Sequence, residues 1–99
     1  MPACSAPGAR FIRANLTGAF MRNGGFEKAD FTGATLRDAD VGRARFAGAL
    51  FAGADLRATN LAEANLREAL ADSETIWPDG FVPEAHGVIM RSRIDVHAR

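Results

Sequence analysis

The sequence predicts an all-β fold in which the chain winds as a four-sided coil with twenty residues to the turn. The prediction starts from a five-residue repeat between Ala9 and Ser73. The third residue of each five is Phe, Leu, Met or Val until Ala71, and the first is Ala except at Gly24 and Thr59. Helices bury a residue about every 3.6 positions and strands about every 2, so neither fits this repeat. A chain that turns a corner after each five residues can point both positions inward.

The length of the turn follows from the third residues, which we call the central residues. When they are aligned at a spacing of twenty, one column is mostly Phe and another is mostly Leu, whereas a three- or five-sided coil would mix the two types. We expect the Phe column to continue to Ala71 and the Leu column to Ile76. The predicted core residues are, column by column, Phe11, Phe31 and Phe51; Leu16, Leu36 and Leu56; Met21, Val41 and Leu61; and Phe26, Phe46 and Leu66.

The repeat has the form A-(D/N)-L-x-x, most clearly in ADLRA, ANLRE, ANLTG and ADFTG. This pattern resembles the pentapeptide-repeat family, and the resemblance covers roughly two thirds of the chain. It implies a right-handed quadrilateral β-helix of about three coils. It also implies that the central residue and the small residue two positions before it point inward.

The first part of the chain departs most from the pattern. Residues 1–8 form a short leader with two prolines, and residues 9–28 form the least regular coil. In that coil Phe20 replaces the usual Asp or Asn, while Gly24 and Gly25 replace Ala and a polar residue. Glycine lacks a packing side chain and loosens the backbone, so we expect this end of the β-helix to fray.

The second and third coils, residues 29–68, match the pattern best. Asp and Asn often precede the central residue here, and their short side chains can bond nearby backbone at a corner. Glycine recurs at the last position of a five, where a corner can require unusual dihedral angles. The glycines predicted to turn corners are Gly18, Gly33, Gly48 and Gly53.

Outward positions are where a binding function would lie. Leu50 and Leu70 are predicted to stack outward on the first side, and with Phe20 elsewhere they are candidates for a contact site. The alternative is that the C-terminal segment folds back over both leucines. Two charged columns are also expected, Arg37 above Arg57 and the opposite charges Arg43 above Glu63.

The repeat fades after the β-helix of residues 9–73, and residues 74–90 are predicted to cap its end. Pro78-Asp79-Gly80 indicates a turn, and Trp77 and Phe81 supply apolar area to cover the open core and strand edge. The segment also resembles the W-P-x-G-F tails of other bacterial pentapeptide-repeat proteins. It could instead be a homodimer contact. Residues 91–99 are a tail, and for residues 89–99 strand, short helix and disorder all remain open.

Amino-acid composition indicates the compartment in which the protein is expected and the partners that are not expected. The twelve basic and twelve acidic side chains cancel, so bulk charge predicts neither nucleic-acid nor membrane binding. The single Cys4 cannot form an intramolecular disulfide, which favours a reducing compartment. Residues 1–10 lack the features of a signal peptide, and the longest apolar run, residues 46–54, is far shorter than the about 20 residues of a membrane-spanning helix. We therefore expect a cytoplasmic protein.

The sequence predicts no catalytic, cofactor or metal site. His86 and His97 are eleven residues apart and Cys4 is at the other end of the chain, which is not a metal-ligand spacing. Ser92, Asp95 and His97 are too close in sequence to be assigned as a triad. We predict a non-enzymatic interaction scaffold whose protein partner is unknown. The resemblance implies one alternative, a DNA-mimicking protein that binds gyrase or another topoisomerase and confers quinolone resistance.

Overall fold

The computed structural model describes residues 6–58 and 60–91. Parallel bridges join residues twenty apart at every fifth position of the first coil. The chain therefore winds as a β-helix whose coils pair through short parallel contacts. The bridges between the first and second coils join Arg10 to Asp30, Asn15 to Thr35, Phe20 to Asp40 and Gly25 to Arg45.

Few of these contacts extend into longer elements. Within the described residues, the strands are β1 (Leu70–Asp72) and β2 (Ile89–Arg91), which pair in parallel with Leu70 opposite Ile89. Two 3₁₀ helices, Leu61–Glu63 and Pro83–His86, complete the regular elements of that part of the chain.

Backbone hydrogen bonds alternate between the coil above and the coil below. Asp30 illustrates the pattern, because its N–H donates to the Ala9 carbonyl at 2.9 Å while its own carbonyl accepts from the Phe11 N–H at 2.7 Å. The next residue, Phe31, donates its N–H to the Leu50 carbonyl of the following coil at 2.7 Å. Each five-residue segment is thus hydrogen-bonded to neighbouring coils. These bonds satisfy backbone N–H and C=O groups that would otherwise be buried without a partner.

The central residues and the small residues before them fill the interior. Phenylalanine rings stack along two columns: Phe31 lies 5.0 Å from Phe11 and 5.2 Å from Phe51 between ring centroids. Phe31 and Phe46 meet edge to face across the columns at 5.6 Å. Such pairs contribute about 0.5–1.5 kcal/mol each beyond the burial of their area. Ten of the predicted core residues are buried: Met21, Phe26, Phe31, Leu36, Val41, Phe46, Phe51, Leu56, Leu61 and Leu66.

Phe11 and Leu16 are the two predicted core residues that are only half-buried. They belong to the first two sides of the first coil. Among the described residues, Arg10 and Asn15 on these sides bridge only to the second coil. The residues before them, Ala6 and Gly8, bond instead to the fourth side of the first coil. The surfaces of Phe11 and Leu16 that point away from the second coil therefore lie at the N-terminal end of the β-helix.

At most corners, the last residue of the five has a left-handed conformation. The predicted corner glycines have φ between 65° and 72°. Other residue types take the same conformation at the same position, although L-residues with a side chain adopt it at some cost. They are Arg13, Asn23, Lys28, Asp38, Arg43 and Glu68, with φ between 58° and 62°.

The third coil departs from the repeat on its third side, where the sequence predicted a close match. The left-handed residue is Asn60, with φ 64°, and the 3₁₀ helix Leu61–Glu63 follows it directly. Asn60 reaches the second coil through its side chain, whose Nδ2 donates to Asp40 Oδ1 at 3.3 Å. The sequence signal at this place is Thr59, which stands where most fives have Ala.

Gly24 has a packing role that the sequence did not predict. It is buried, and a Cβ on it would lie 2.8 Å from Phe26 Cζ. The Phe26 ring therefore occupies the space that Ala fills in other fives. The Phe26 ring thus fills volume that the missing Gly24 side chain leaves in the first coil.

The prediction that Ile76 continues the Leu column is wrong. Ile76 bridges Asp55, twenty-one residues earlier, and is 45% exposed. The extra residue lies after Ala71, where Asp72 and Thr75 form a buried polar turn. Thr75 Oγ1 donates to the Phe51 carbonyl at 2.8 Å and accepts from the Asp72 N–H at 3.1 Å. The shift moves Ile76 outward.

Candidate interaction surfaces

An apolar column runs along the C-terminal half of the first side. Leu50 bridges Leu70, and Leu70 bridges Ile89 in β2. Leu50 and Leu70 are half-buried, and Ile89 is 41% exposed. We call these three residues the apolar column. The same column continues toward the N-terminal end as Asp30 and Arg10, so one side of the β-helix changes from polar to apolar along its axis.

The sequence predicted that Leu50 and Leu70 stack as a pair that is either an exposed contact site or covered by the C-terminal segment. It did not predict that Ile89 joins them. The described part of the C-terminal segment lies beside Leu70 in the ladder instead of folding over Leu50 and Leu70. Ile89 follows Leu70 by nineteen residues rather than twenty, which is why the period did not reveal it. Phe20, the other apolar candidate, is 69% exposed on the third side of the first coil.

Three aromatic rings stack at the C-terminal end of the core. Trp77 and Phe81 are parallel at 5.4 Å, and Phe81 and His86 are parallel at 4.5 Å. Trp77 and Phe81 are half-buried and pack against the core cluster. Sequence reasoning considered His86 only as a metal ligand. The sequence could have indicated a place for His86 in the β-helix, because His86 follows Leu66 by twenty residues and so continues the fourth column of central residues.

Ion pairs between acidic and basic side chains lie elsewhere on the surface. Arg22 Nε lies 3.2 Å from Asp40 Oδ2 and Arg45 Nε lies 3.0 Å from Glu27 Oε2, each pair linking two coils. Arg22 also lies 3.8 Å from Glu63, so Glu63 pairs with Arg22 and not with the predicted Arg43. Exposed pairs of this kind contribute little to stability, and their main consequence is that both signs of charge are interspersed.

Asp55 and Arg57 form the closest ion pair. Arg57 Nη2 donates to Asp55 Oδ2 at 2.7 Å and Arg57 Nε donates to Asp55 Oδ1 at 3.0 Å. These side-chain hydrogen bonds hold the pKa of the Asp55 carboxyl below its ordinary value. The predicted Arg37–Arg57 column is thereby less basic than its two arginines suggest.

Asp40 is held by the backbone as well as by side chains. The Gly42 N–H donates to Asp40 Oδ1 at 3.1 Å, and this bond is the main cause that lowers the pKa of Asp40. Gly42 also gives room to Arg22, because a Cβ on Gly42 would lie 2.8 Å from Arg22 Cζ. The missing side chain therefore lets the guanidinium lie flat against the β-helix beside Asp40.

Two shallow grooves lie on the surface. One, of about 330 Å³, runs over the corner formed by Gly33 and Gly53, with Arg13 and Glu74 among its lining residues. The other, of about 350 Å³, lies between Asn60 and the turn before Phe81. Neither brings together three or more potential metal ligands, and no such group occurs elsewhere in residues 6–58 and 60–91.

Four residues named above as possible metal ligands or triad members lie near the two ends of the chain. Cys4, Ser92, Asp95 and His97 lie outside the described residues. Within the part of the chain that the structure describes, every helix is too short or too polar to cross a bilayer.

Comparison with known proteins places the chain in a family. A family model for pentapeptide repeats matches residues 9–47 and 42–70 with eight copies of the repeat. The chain belongs to the pentapeptide repeat family. The family inferred from A-(D/N)-L-x-x is therefore confirmed.

A solved structure of the same family agrees with the β-helix seen here. This pentapeptide repeat chain is similar to alr5209, a pentapeptide repeat protein from Nostoc Pcc 7120, with 25% sequence identity and a TM-score of 0.70. The match covers 88% of this chain and 76% of that chain. No curated protein matches the chain.

Proposed function

We propose that this chain is a non-enzymatic interaction scaffold, built as a right-handed quadrilateral β-helix of about three coils with a C-terminal cap. Pentapeptide repeat proteins are generally structural or interaction modules. In this proposal the scaffold binds a protein partner in a reducing, cytoplasmic compartment. The observation that carries it is the apolar column Leu50–Leu70–Ile89 on the first side.

The apolar column is supported by a rigid interior. The inward neighbours of Leu70 are Ala69 and Ala71, both fully buried, and Leu50 is flanked by Ala49 and Phe51 in the same way. A surface fixed in this way loses little conformational entropy on binding, which favours affinity. Covering the apolar column would remove apolar area from water at about 25 cal/mol per Å².

The polar end of the same side would fix the orientation of a partner. Asp30 follows the apolar column toward the N-terminal end, and its carboxylate accepts a 2.6 Å hydrogen bond from Thr32 Oγ1. Arg10 lies beyond it in the same column. A partner with an apolar strip next to a basic group would match this side, because its cation would meet Asp30.

Site-specific photo-cross-linking in cells of the native host tests the proposal. A photoreactive residue at position 70 or 89 should give a discrete adduct with a host protein. The same residue at the exposed position Thr17, on another side of the β-helix, is the matched control and should give none. Leu70→Arg should remove the adduct formed at position 89 while the purified variant stays folded by circular dichroism. An identical adduct pattern from position 17, or no adduct from either test position, would refute the proposal.

A further inference from the structure

Charge is distributed unevenly along the axis of the β-helix. The first coil, residues 9–28, contains four basic side chains and one acidic side chain. Residues 69–91, at the other end, contain four acidic side chains and one basic side chain. Between them, residues 29–68 hold five basic and six acidic side chains. Residues 92–99 add two arginines and one aspartate to the sequence, which leaves the region from residue 69 onward acidic.

At the N-terminal end, no other described residue bridges the outer edge of the first two sides, and four of the five charged residues of the first coil are basic. Among the described residues, Arg10 and Asn15 each bridge only to the coil below, and Phe11 is half-buried beneath that end. Ile12 is 41% exposed beside it. Arg13 follows at the corner and makes no ion pair with a described residue. An open edge carries unpaired N–H and C=O groups and is a template for pairing with another chain.

At the C-terminal end, the charged residues from Ala69 to Met90 are all acidic, and Arg91 at the end of β2 is basic. Within the described residues, β2 pairs with β1 along one edge only. Met90, in the middle of β2, is half-buried at this end and packs against the core cluster. Glu74 and Glu84 are exposed, and neither makes an ion pair with a described residue.

We propose that copies of this chain associate head to tail, with the basic N-terminal edge of one copy on the acidic C-terminal edge of the next. The two ends have opposite net charge, and within the described residues neither outer edge, above Phe11 or beside Met90, is bridged by another strand. Successive coils inside one chain already stack in parallel, so the next copy would continue the same arrangement. The contact joins two different surfaces and therefore does not close on itself, which makes the association open-ended.

The proposed contact uses the ends of the β-helix, and the outward side chains of Leu50 and Leu70 stay free for another protein. It also differs from a homodimer formed through two C-terminal segments. That homodimer would bring two acidic ends together, and their repulsion would be weakened by salt. Head-to-tail association joins opposite charges, so salt should weaken it. The sign of the salt dependence separates the two arrangements.

Sedimentation velocity of the full chain over a range of concentrations provides the first measurement. In about 10 mM sodium chloride charges act over about 30 Å, and in about 1 M over about 3 Å. We expect the average mass to rise with concentration in the low salt and to approach the 10.5 kDa monomer in the high salt. Monomers under both conditions, or association that strengthens with salt, would overturn the proposal.

Charge reversal at the two ends provides the second measurement. Arg13→Glu and Glu84→Lys should each weaken low-salt association by roughly tenfold. The chain that carries both substitutions should associate more weakly than either single variant, because the excess charge is then reduced at both ends. Arg43→Glu, at an exposed corner of the second coil, is the matched control and should leave association unchanged. Each variant is checked for folding by circular dichroism. If Arg13→Glu, Glu84→Lys and the double variant all associate as strongly as the original chain, the two ends do not meet and the proposal fails.

Discussion

The ring of Phe26 fills the space beside Gly24, so that a Cβ on Gly24 would lie 2.8 Å from Phe26 Cζ and 3.1 Å from the Met21 carbonyl oxygen. Both Gly24 and Phe26 are buried. A Gly-to-Ala substitution at a compatible position stabilises a protein by about 0.4–1 kcal/mol. Here the added methyl group must displace a packed ring, and we expect Gly24→Ala to lower the free energy of unfolding by about 1–3 kcal/mol.

Phe26→Leu supplies the control for that prediction. A leucine at position 26 leaves room beside position 24, so Gly24→Ala should cost much less in this background than in the original chain. Urea unfolding followed by circular dichroism measures all four chains of the double-mutant cycle. Equal costs in the two backgrounds would show that the ring and the glycine are not coupled.

The left-handed corners predict substitutions that stabilise the protein. Glu68 has φ 62° and is exposed, and a side chain in this conformation costs about 1–2 kcal/mol that glycine avoids. Glycine, however, loses more conformational entropy on folding than other residues, which costs about 0.5–1 kcal/mol. We therefore expect Glu68→Gly to raise the free energy of unfolding by about 0.5–1 kcal/mol, as measured by urea unfolding.

Two comparisons test the conformational origin of that gain. Asn23→Gly should gain less, because Asn adopts the left-handed conformation more readily than Glu. At Gly53 φ is 65°, a conformation that strains alanine, and no atom lies within 4 Å of an added Cβ, so no new contact offsets the strain. Gly53→Ala should therefore be destabilising by about 1 kcal/mol. If Gly53→Ala instead stabilised the protein, strain in the left-handed conformation could not explain the gain from Glu68→Gly.

The Asp55–Arg57 ion pair predicts a stability that depends on pH. The pKa of Asp55 is lowered in the folded protein, chiefly by its hydrogen bonds from Arg57. The folded state therefore holds this proton less tightly than the unfolded chain, whose aspartates have a pKa of about 3.9. The contribution is present above that pH and is lost as the pH falls through the lower, folded-state pKa.

Asp55→Asn should flatten this part of the pH dependence. Urea unfolding at about pH 7, 5 and 3 should show a smaller loss of stability for the variant than for the original chain. Glu84→Gln is the control, because Glu84 is exposed and makes no ion pair with a described residue. If Asp55→Asn and the original chain lose the same free energy between pH 5 and 3, the ion pair contributes nothing to stability.

The five-residue period predicted the coil and its core well, because each inward position repeats the same demand for a small or a large apolar side chain. It could not predict the C-terminal end, where the spacing changes to twenty-one residues at Ile76 and nineteen at Ile89. Buried hydrogen bonds of Asp72 and Thr75 absorb the first change. Such tertiary hydrogen bonds leave no periodic trace, so the sequence misplaced Ile76 and missed Ile89.

The aromatic stack at the C-terminal end predicts the effect of Phe81→Ala. The Phe81 ring lies between Trp77 and His86, and its removal opens a gap next to the core. A buried Phe-to-Ala change costs about 3–5 kcal/mol, and we expect roughly half of that for this half-buried ring. Trp77 is the single tryptophan of the chain, so its fluorescence reports on this segment and should shift to longer wavelength.

Val82→Ala is the matched control for the aromatic stack. Val82 follows Phe81 directly but is 57% exposed, so its truncation should change neither the unfolding free energy nor the fluorescence appreciably. Similar effects of Phe81→Ala and Val82→Ala would mean that the stack does not stabilise the end of the β-helix.

The surface charges predict that this protein does not act on gyrase by imitating DNA. Duplex DNA carries one negative charge per about 1.7 Å of its axis. On the sides of the β-helix, Glu27, Asp40 and Asp55 each lie within 3.2 Å of an arginine. The first coil is basic, and head-to-tail association would only repeat this alternation of charge. A supercoiling assay with purified gyrase, with and without a quinolone, measures the outcome. We expect no inhibition and no protection, while a gyrase-inhibiting member of the family gives both. Inhibition at low micromolar concentrations would instead favour DNA mimicry.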